Sequence, residues 1–199
     1  SIDGRIGLKN GKSKWITNDH SRSFVHSLRA GFDAIIVGGN TLRHDDPLLT
    51  SRGKKSPEPL RVVFTRNLNL PEERNLWDCD VAKTLIVYGG SSANEKYLEK
   101  LPKSVEILKI PSDNPQILAK HLAERGLNKI LWECGPNLAT SALKNGCIQE
   151  IITFVGPKIL GGESSMTPLA DFNFEDMKEV KVLKEGKIKY LSGDVFINN

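Results

Sequence analysis

Short apolar runs alternate with helix-like apolar stripes along the first three quarters of the chain. Six mostly apolar runs predict buried strands, at residues 33–37, 60–64, 84–88, 105–110, 129–133 and 148–155. Apolar residues at helical spacing predict helices before and between these strands. The first begins within residues 17–19 and ends at Gly31, and the others lie at 95–101, from Asn114 to Gly126 and from Gly135 to Gly146. The alternation predicts an α/β fold with right-handed crossovers and a largely parallel sheet.

The C-terminal tail has the pattern of an antiparallel hairpin instead. Residues 180–183 and 188–191 alternate apolar and polar positions around a polar turn at 184–187, and residues 194–197 predict one more strand. The sheet is therefore expected to be mixed, parallel in its body and antiparallel at its C-terminal edge. We expect residues 1–199 to form a single domain, excised from a longer chain.

Composition fits a globular protein and disfavours several function classes. Apolar residues make up 39% of the chain and charged residues 26%, and no apolar run approaches the ~20 residues of a membrane span. The net charge of +4 is mild and unclustered, which disfavours a nucleic-acid groove but suits a cleft for a phosphorylated small molecule. Three scattered cysteines without zinc-ligand spacing predict a reduced, intracellular protein.

Two glycine-containing junctions are candidates for anion binding. Residues 38–41 follow a buried strand, and residues 133–137 join a strand to a helix, whose unpaired N–H groups attract phosphate. Gly135 and the small residues at 139–141 would let a pyrophosphate approach closely. The alternative is that the glycines only form tight turns, and neither junction has the G-x-G-x-x-G or P-loop pattern.

Residues 44–47 are predicted to be loop and residues 51–59 a polar linker, and both offer charged candidates for a site. His44, Asp45 and Asp46 are consecutive and cannot all face one ion, so we expect no metal site. An aspartate that reaches a substrate or cofactor hydroxyl, or one that caps the loop, fits better. Arg29 and Arg52 are candidate phosphate clamps because guanidinium binds phosphate as a fork, although each also fits a solvated surface side chain. The residues alone thus predict an α/β protein with one or two anion-binding turns.

Several motifs follow one another over nearly the whole chain. They are S-I-D-G-R-I at 1–6, G-K-S-K-W-I-T at 11–17, H-S-L-R-A at 26–30, D-A-I-I-V-G at 33–38, D-D-P-L-L-T-S-R at 45–52, W-E-C-G-P at 132–136 and F-V-G-P-K-I-L-G-G at 154–162. Together they resemble the reductase domain of riboflavin biosynthesis, the C-terminal half of a bifunctional deaminase/reductase. The resemblance implies a dihydrofolate-reductase-like fold, a three-layer α/β sandwich.

The same resemblance implies an NADPH-dependent oxidoreductase. The expected reaction reduces 5-amino-6-(5-phosphoribosylamino)uracil to the ribitylamino compound. The ribose carbon bonded to the amine, reachable as an open-chain imine, would accept hydride from the nicotinamide. The protein would then supply orientation and electrostatics, since the cofactor carries the chemistry.

Site residues are carried over from the resemblance position by position. The residues expected on the substrate side are Ser13, Arg29, Leu49, Arg52 and Glu133. Those expected on the cofactor side are Trp15, Thr41, Asp45, Gly135, Pro136, Asn137, Leu138, Ala139, Thr140 and Ser141. Asp45 is also the nearest group to a catalytic proton donor.

The resemblance leaves partners and two alternatives open. The deaminase half of the family, with its zinc motif, is not in this sequence, and we expect a fused deaminase domain outside this chain, a homodimer and a cytoplasmic location. One alternative is a related enzyme acting on a pterin or a different ribosylated pyrimidine; the arginine pair argues against an unphosphorylated pterin, which has no phosphate to bind. The other is a non-catalytic module, favoured by the lack of the strand that precedes the S-x-D-G motif in the family, which would bind NADPH without turnover.

Overall fold

The computed structural model describes all 199 residues and contains four α-helices and eight β-strands. The helices are α1 (Asp19–Ala30), α2 (Gly39–Asp45), α3 (Pro115–Glu124) and α4 (Pro136–Lys144). The strands are β1 (Ala34–Gly38), β2 (Leu60–Thr65), β3 (Thr84–Gly89), β4 (Glu106–Ile110), β5 (Ile130–Trp132), β6 (Ile152–Val155), β7 (Lys187–Leu191) and β8 (Asp194–Asn198). Short 3-10 helices lie at Asn75–Trp77, Glu95–Lys100 and Met177–Glu179.

The chain forms two compact units. The central unit comprises Val25–Cys147, and the terminal unit comprises Ser1–Phe24 together with Ile148–Asn199. None of the helices combines the length and the apolar character that a membrane crossing requires.

The central unit is built on a parallel sheet with the strand order β4-β3-β2-β1-β5. Strands β1, β2 and β3 are buried along nearly their whole length, as expected of parallel strands that are covered on both faces. One face of the sheet packs against Leu118 and Leu122 of α3, and the other against Leu42 of α2 and residues 68–77. Because all five strands are parallel, the segments that follow β1, β2 and β5 meet at one edge of the sheet.

Arg61 on β2 is completely buried and fixes a surface segment from within. Its Nη2 donates to the carbonyl oxygens of Leu76 at 2.9 Å, Asp78 at 2.7 Å and Ala82 at 2.5 Å. A buried cation is costly unless its donors find acceptors, and backbone carbonyls accept from the Nη groups in place of a carboxylate, while Nε is buried without a partner. Arg61 therefore holds the segment 76–82 against β2.

The terminal unit contains a separate antiparallel sheet with the strand order β6-β8-β7. Phe24, Phe154 and Phe196 pack edge to face, with ring centroids 5.2–6.0 Å apart. The buried carboxylate of Asp194 accepts a hydrogen bond from the backbone N–H of Asn18 at 2.8 Å and another from the hydroxyl of Ser21 at 2.6 Å. The ring cluster and these bonds tie the first turns of α1 to the sheet.

The predicted α/β class, with a largely parallel sheet and an antiparallel C-terminal hairpin, is confirmed with three corrections. The antiparallel strands form their own sheet, and are not an edge of the parallel one. The hairpin joins β7 to β8 through Ser192 and Gly193, whose positive φ values of 51° and 101° suit a two-residue turn, whereas Val182 in the predicted strand 180–183 is 92% exposed. Residues 39–45, where the sequence predicts a glycine turn and the start of a loop but no helix, form α2.

Candidate active site

The two glycine junctions identified in the sequence lie side by side at the carboxyl edge of the parallel sheet. β1 and β5 are paired neighbours; β1 leads directly into α2, and β5 leads through Glu133 and Gly135 into α4. A Cβ atom placed on Gly135 would lie 3.9 Å from Oγ1 of Thr41 and would meet nothing closer. The two junctions therefore form one surface.

Helix α4 begins at this surface without a side-chain cap. Its N-cap is Gly135, no side chain accepts a hydrogen bond from the first turn, and Pro136 occupies the start of the helix. The backbone of Gly135 is extended, with φ −72° and ψ 173°, a conformation that any residue can adopt. The uncapped N–H groups of the first turn and the positive end of the helix dipole suit an anion.

Arg29 and Glu133 form a bidentate ion pair beside this helix start. Nε and Nη2 of Arg29 donate to the two carboxylate oxygens of Glu133, each at 2.8 Å, and the two side chains are only 12% and 23% exposed. Nη1 of Arg29 donates to the carbonyl oxygen of Thr50 at 3.0 Å and lies 3.2 Å from Nδ1 of His26. Because Glu133 precedes Gly135 by two residues, this pair links the last turn of α1 to the start of α4.

Arg52 lies on a loop whose backbone is hydrogen-bonded to the carboxylate of Glu58. Leu49 and Ser51 are buried, whereas Arg52 is exposed and has a positive φ of 55°. The carboxylate of Glu58 accepts hydrogen bonds from the N–H of Ser51 at 2.6 Å, the hydroxyl of Ser51 at 2.9 Å and the N–H of Gly53 at 3.2 Å. Glu58 thus fixes the residues on both sides of Arg52, which presents its guanidinium outward.

Glu58→Gln is expected to lower the free energy of unfolding at neutral pH by about 1–2 kcal/mol, because hydrogen bonds to a charged acceptor are lost. Burial raises the pKa of Glu58, but the donors of Ser51 and Gly53 outweigh burial and hold the pKa below its usual value. The stabilisation is therefore present above the pKa of the unfolded carboxyl and is lost as pH falls through the lower folded pKa. Urea unfolding from about pH 3 to pH 7 checks this, with the exposed Glu99→Gln as control. A pH-independent difference between wild type and Glu58→Gln would contradict the assignment.

The two adjacent aspartates have different surroundings. Asp46 is the C-cap of α2 in the left-handed conformation, and its carboxylate accepts hydrogen bonds from N and Nδ2 of Asn75, each at 2.9 Å. Asp46 therefore caps the loop, one of the two roles that the sequence left open. Asp45, the last residue of α2, makes no hydrogen bond or ion pair through its carboxylate. No three His, Cys, Asp or Glu side chains converge to hold a metal ion.

Ser13 and Trp15 belong to the terminal unit, whereas the other candidate residues belong to the central unit. The indole of Trp15 is 60% exposed, so it is not a core residue. The guanidinium of Arg22 lies over the ring, 4.2 Å from its centroid, and Nζ of Lys158 donates to the carbonyl oxygen of Trp15 at 2.5 Å. Trp15 thus exposes an aromatic ring, and its contacts with Arg22 and Lys158 lie within the terminal unit.

Three residues that shape the site were not predicted from the sequence. They are His26, Thr50 and Glu58, which contact Arg29 or hold the Arg52 loop. His26 is part of the H-S-L-R-A motif, which was the signal for it, whereas nothing in the polar segment 51–59 singles out Glu58. Cys134 lies between Glu133 and Gly135, and burial raises the pKa of its thiol to about 12, so the thiol is protonated and unsuited to act as a nucleophile.

The fold agrees with comparisons to known proteins. The model of the RibD C-terminal domain family matches residues 1–190. The chain belongs to this family. The riboflavin biosynthesis protein RibD of Synechocystis sp. is 40% identical over 181 residues, which cover 90% of this chain and 49% of that protein. The chloroplastic riboflavin biosynthesis protein PYRR of Arabidopsis thaliana is 37% identical and is matched over 100% of this chain and 33% of its own length.

Solved structures of RibD proteins share the fold of this RibD C-terminal domain. The structure of RibD from Acinetobacter baumannii superposes with a TM-score of 0.83 at 26% identity, over 100% of this chain and 55% of that one. A Thermotoga maritima protein, named a diaminohydroxyphosphoribosylaminopyrimidine deaminase/5-amino-6-(5-phosphoribosylamino)uracil reductase, gives a TM-score of 0.79 at 25% identity over 99% of this chain and 53% of that one. The chain spans about half the length of these RibD relatives. The family and the dihydrofolate-reductase-like fold inferred from the motifs are confirmed.

Proposed function

We propose that this RibD C-terminal domain reduces 5-amino-6-(5-phosphoribosylamino)uracil to 5-amino-6-(5-phosphoribitylamino)uracil in riboflavin biosynthesis, with NADPH as reductant. One observation carries the proposal. An uncapped helix start, which suits a pyrophosphate, begins two residues after Glu133, whose carboxylate pairs with Arg29. Arg29 also donates to the carbonyl oxygen of Thr50, two residues before the exposed Arg52, and the two arginines suit a sugar phosphate. This is the arrangement that a reaction between a dinucleotide and a phosphorylated sugar requires.

The substrate side is assigned to Ser13, Arg29, Leu49, Arg52 and Glu133. Arg52 has no carboxylate partner, so the N–H donors of its guanidinium are available for a bidentate contact with the phosphate. Glu133 orients Arg29 through both carboxylate oxygens, and its remaining lone pairs would accept hydrogen bonds from the sugar or the base. Leu49 is buried beneath the loop and so supports it with packing.

The cofactor side is assigned to Trp15, Thr41, Asp45 and the residues 135–141 at the start of α4. The fit rests on the absence of a Cβ at Gly135 and on the uncapped N–H groups behind it, which would bind the pyrophosphate. Bound NADPH would supply the hydride that the ribose carbon accepts. Asp45, whose carboxylate has no partner within the protein, is the group that we assign to proton transfer.

The experiment that tests the function follows absorbance of the reduced nicotinamide with enzymatically made substrate, using NADPH and NADH in parallel. We expect NADPH to be consumed in proportion to a product that is heavier by two hydrogens, and slower turnover with NADH. Binding of NADPH without turnover would contradict the proposal and would support a non-catalytic module. Turnover of an unphosphorylated pterin, but not of this substrate, would support the related-enzyme alternative.

Several expectations about the wider protein stay predictions. They are the extent of the domain over residues 1–199, a fused deaminase domain outside this chain, a homodimer and a cytoplasmic location. The plant relatives are named as chloroplastic proteins, so location is best tested directly with a tagged full-length protein in its own cell.

A further inference from the structure

The loop that carries Arg52 lies against the last two turns of α1, where His26 is located. Nζ of Lys54 donates to the hydroxyl of Ser27 at 2.6 Å, and Nη1 of Arg29 donates to the carbonyl oxygen of Thr50 at 3.0 Å. Both contacts are made by residues of the helix turn that begins at His26. His26 therefore sits where the loop, the helix and the Arg29–Glu133 pair meet.

The charges around His26 are mainly positive. Glu133 pairs with Arg29, whereas Arg52 and Lys54 have no carboxylate partner. Burial lowers the pKa of His26, and the charges of Arg29, Arg52 and Lys54 lower it further against the opposing effect of Glu133. His26 is therefore a neutral imidazole at neutral pH, surrounded by cations that a phosphate would neutralise.

The contact with Arg29 also determines which nitrogen of His26 carries the proton. A guanidinium can only donate, so Nδ1 of His26, 3.2 Å from Nη1 of Arg29, must accept. The proton of the neutral ring then lies on Nε2. No group of the protein accepts a hydrogen bond from Nε2, which leaves a donor unused in the half-buried ring beside the two unpaired cations.

We propose that His26 is a further substrate-binding residue, whose Nε2–H donates a hydrogen bond to the substrate phosphate held by Arg52 and Arg29. The inference rests on the proposed function for the identity of the substrate, but the contact it names is with the phosphate alone. Arg29 thus has two roles, because it contacts the phosphate side of the site and fixes the tautomer of the imidazole next to it.

The test exploits the difference between glutamine and asparagine at position 26. Glutamine places its amide nitrogen near the position of Nε2, whereas asparagine reaches only the position of Nδ1, where it could still accept from Arg29. We expect His26→Gln to bind ribose 5-phosphate within ~3-fold of wild type, and His26→Asn to bind ~10-fold more weakly, because a hydrogen bond to a charged group is lost. Isothermal titration of the full chain measures both, with ribose as the unphosphorylated reference.

The opposite order, with asparagine retaining affinity and glutamine losing it, would show that His26 only supports Arg29 and would overturn the proposal. Equal affinities of the two variants would overturn it as well. His20→Asn, an exposed histidine on the same helix, is the matched control and should bind as wild type does. Reductase turnover is measured separately in wild type. If turnover fails while the glutamine–asparagine difference persists, the proposed function is wrong and the phosphate contact stands.

Discussion

Arg29→Ala is expected to reduce both the affinity for the phosphorylated substrate and the stability of the protein, whereas Arg52→Ala is expected to reduce the affinity alone. The difference follows from their contacts. Arg29 makes a bidentate pair with Glu133 and supports the carbonyl of Thr50, so its removal leaves a largely buried carboxylate without a partner. Arg52 is exposed on its loop and has no carboxylate partner in the protein.

The expected loss of unfolding free energy for Arg29→Ala is about 2–3 kcal/mol, below the value for a fully buried pair because Glu133 retains some contact with water. Arg125→Ala is the matched control. Arg125 also makes a bidentate contact, through Nη1 and Nη2, with the carboxylate of Glu106. The two side chains are 37% and 54% exposed, and we expect a loss of less than ~1 kcal/mol. Urea unfolding gives both values.

Ligand titrations measure the affinities of Arg29→Ala and Arg52→Ala for substrate and for NADPH. Each of the two variants should bind substrate about 10-fold or more weakly, since a charge-assisted contact contributes roughly 1.5–3 kcal/mol, and NADPH nearly as wild type does. If substrate and NADPH were weakened equally, the arginines would not belong to the substrate side. If Arg29→Ala left stability unchanged, the ion pair would not support the fold.

The parallel sheet was predictable because its signal is local and strong. The runs at 33–37, 60–64 and 84–88 are apolar at almost every position, which is typical of strands buried on both faces, and the structure places β1, β2 and β3 there. The hairpin was misplaced although the Ser192-Gly193 pair is a turn signal. The alternation of apolar and polar residues at 180–183 predicts a strand, but the segment is exposed and pairs with no strand.

Helix α2 was missed because tertiary contacts stabilise it. It begins at Gly39, a residue that disfavours helix, and has only seven residues. The guanidinium of Arg74 donates to the carbonyl oxygens of Leu42 at 3.2 Å and Arg43 at 3.3 Å, which satisfies the end of the helix from a distant segment. Sequence spacing contains no sign of that contact.

The sequence predicts which residues belong to the site better than it predicts which of them contact one another. The motifs identified Arg29 and Glu133 as separate ligands of the substrate, but the two residues lie 104 positions apart and no local pattern pairs them. The same holds for Glu58, which holds the Arg52 loop through backbone N–H groups whose direction depends on positive φ values at Arg52 and Gly53. Contacts of this kind follow from the folded backbone.

Gly135→Val is expected to weaken NADPH binding by ~100-fold or more while leaving a folded protein with a cooperative melt. Stability should be retained because the extended backbone of Gly135 accepts any residue and its Cβ would meet only Thr41, at 3.9 Å. Affinity should be lost because the side chain would stand between the pyrophosphate and the N–H groups of α4. Loss of about two charge-assisted hydrogen bonds, ~3 kcal/mol, corresponds to that factor.

Gly38→Val is the matched control, and it decides between the two junctions. Gly38 is the last residue of β1 and the N-cap of α2, with an extended backbone of φ −85° and ψ 158°, and its Cβ would make an ordinary contact with Leu138 at 3.8 Å. We expect Gly38→Val to retain most of the affinity, since the seven-residue α2 is not assigned to the pyrophosphate. A titration that follows the fluorescence of the reduced nicotinamide measures both variants, with thermal melts as the check on folding. Wild-type affinity in a folded Gly135→Val protein, with loss in Gly38→Val, would move the dinucleotide to the β1–α2 junction.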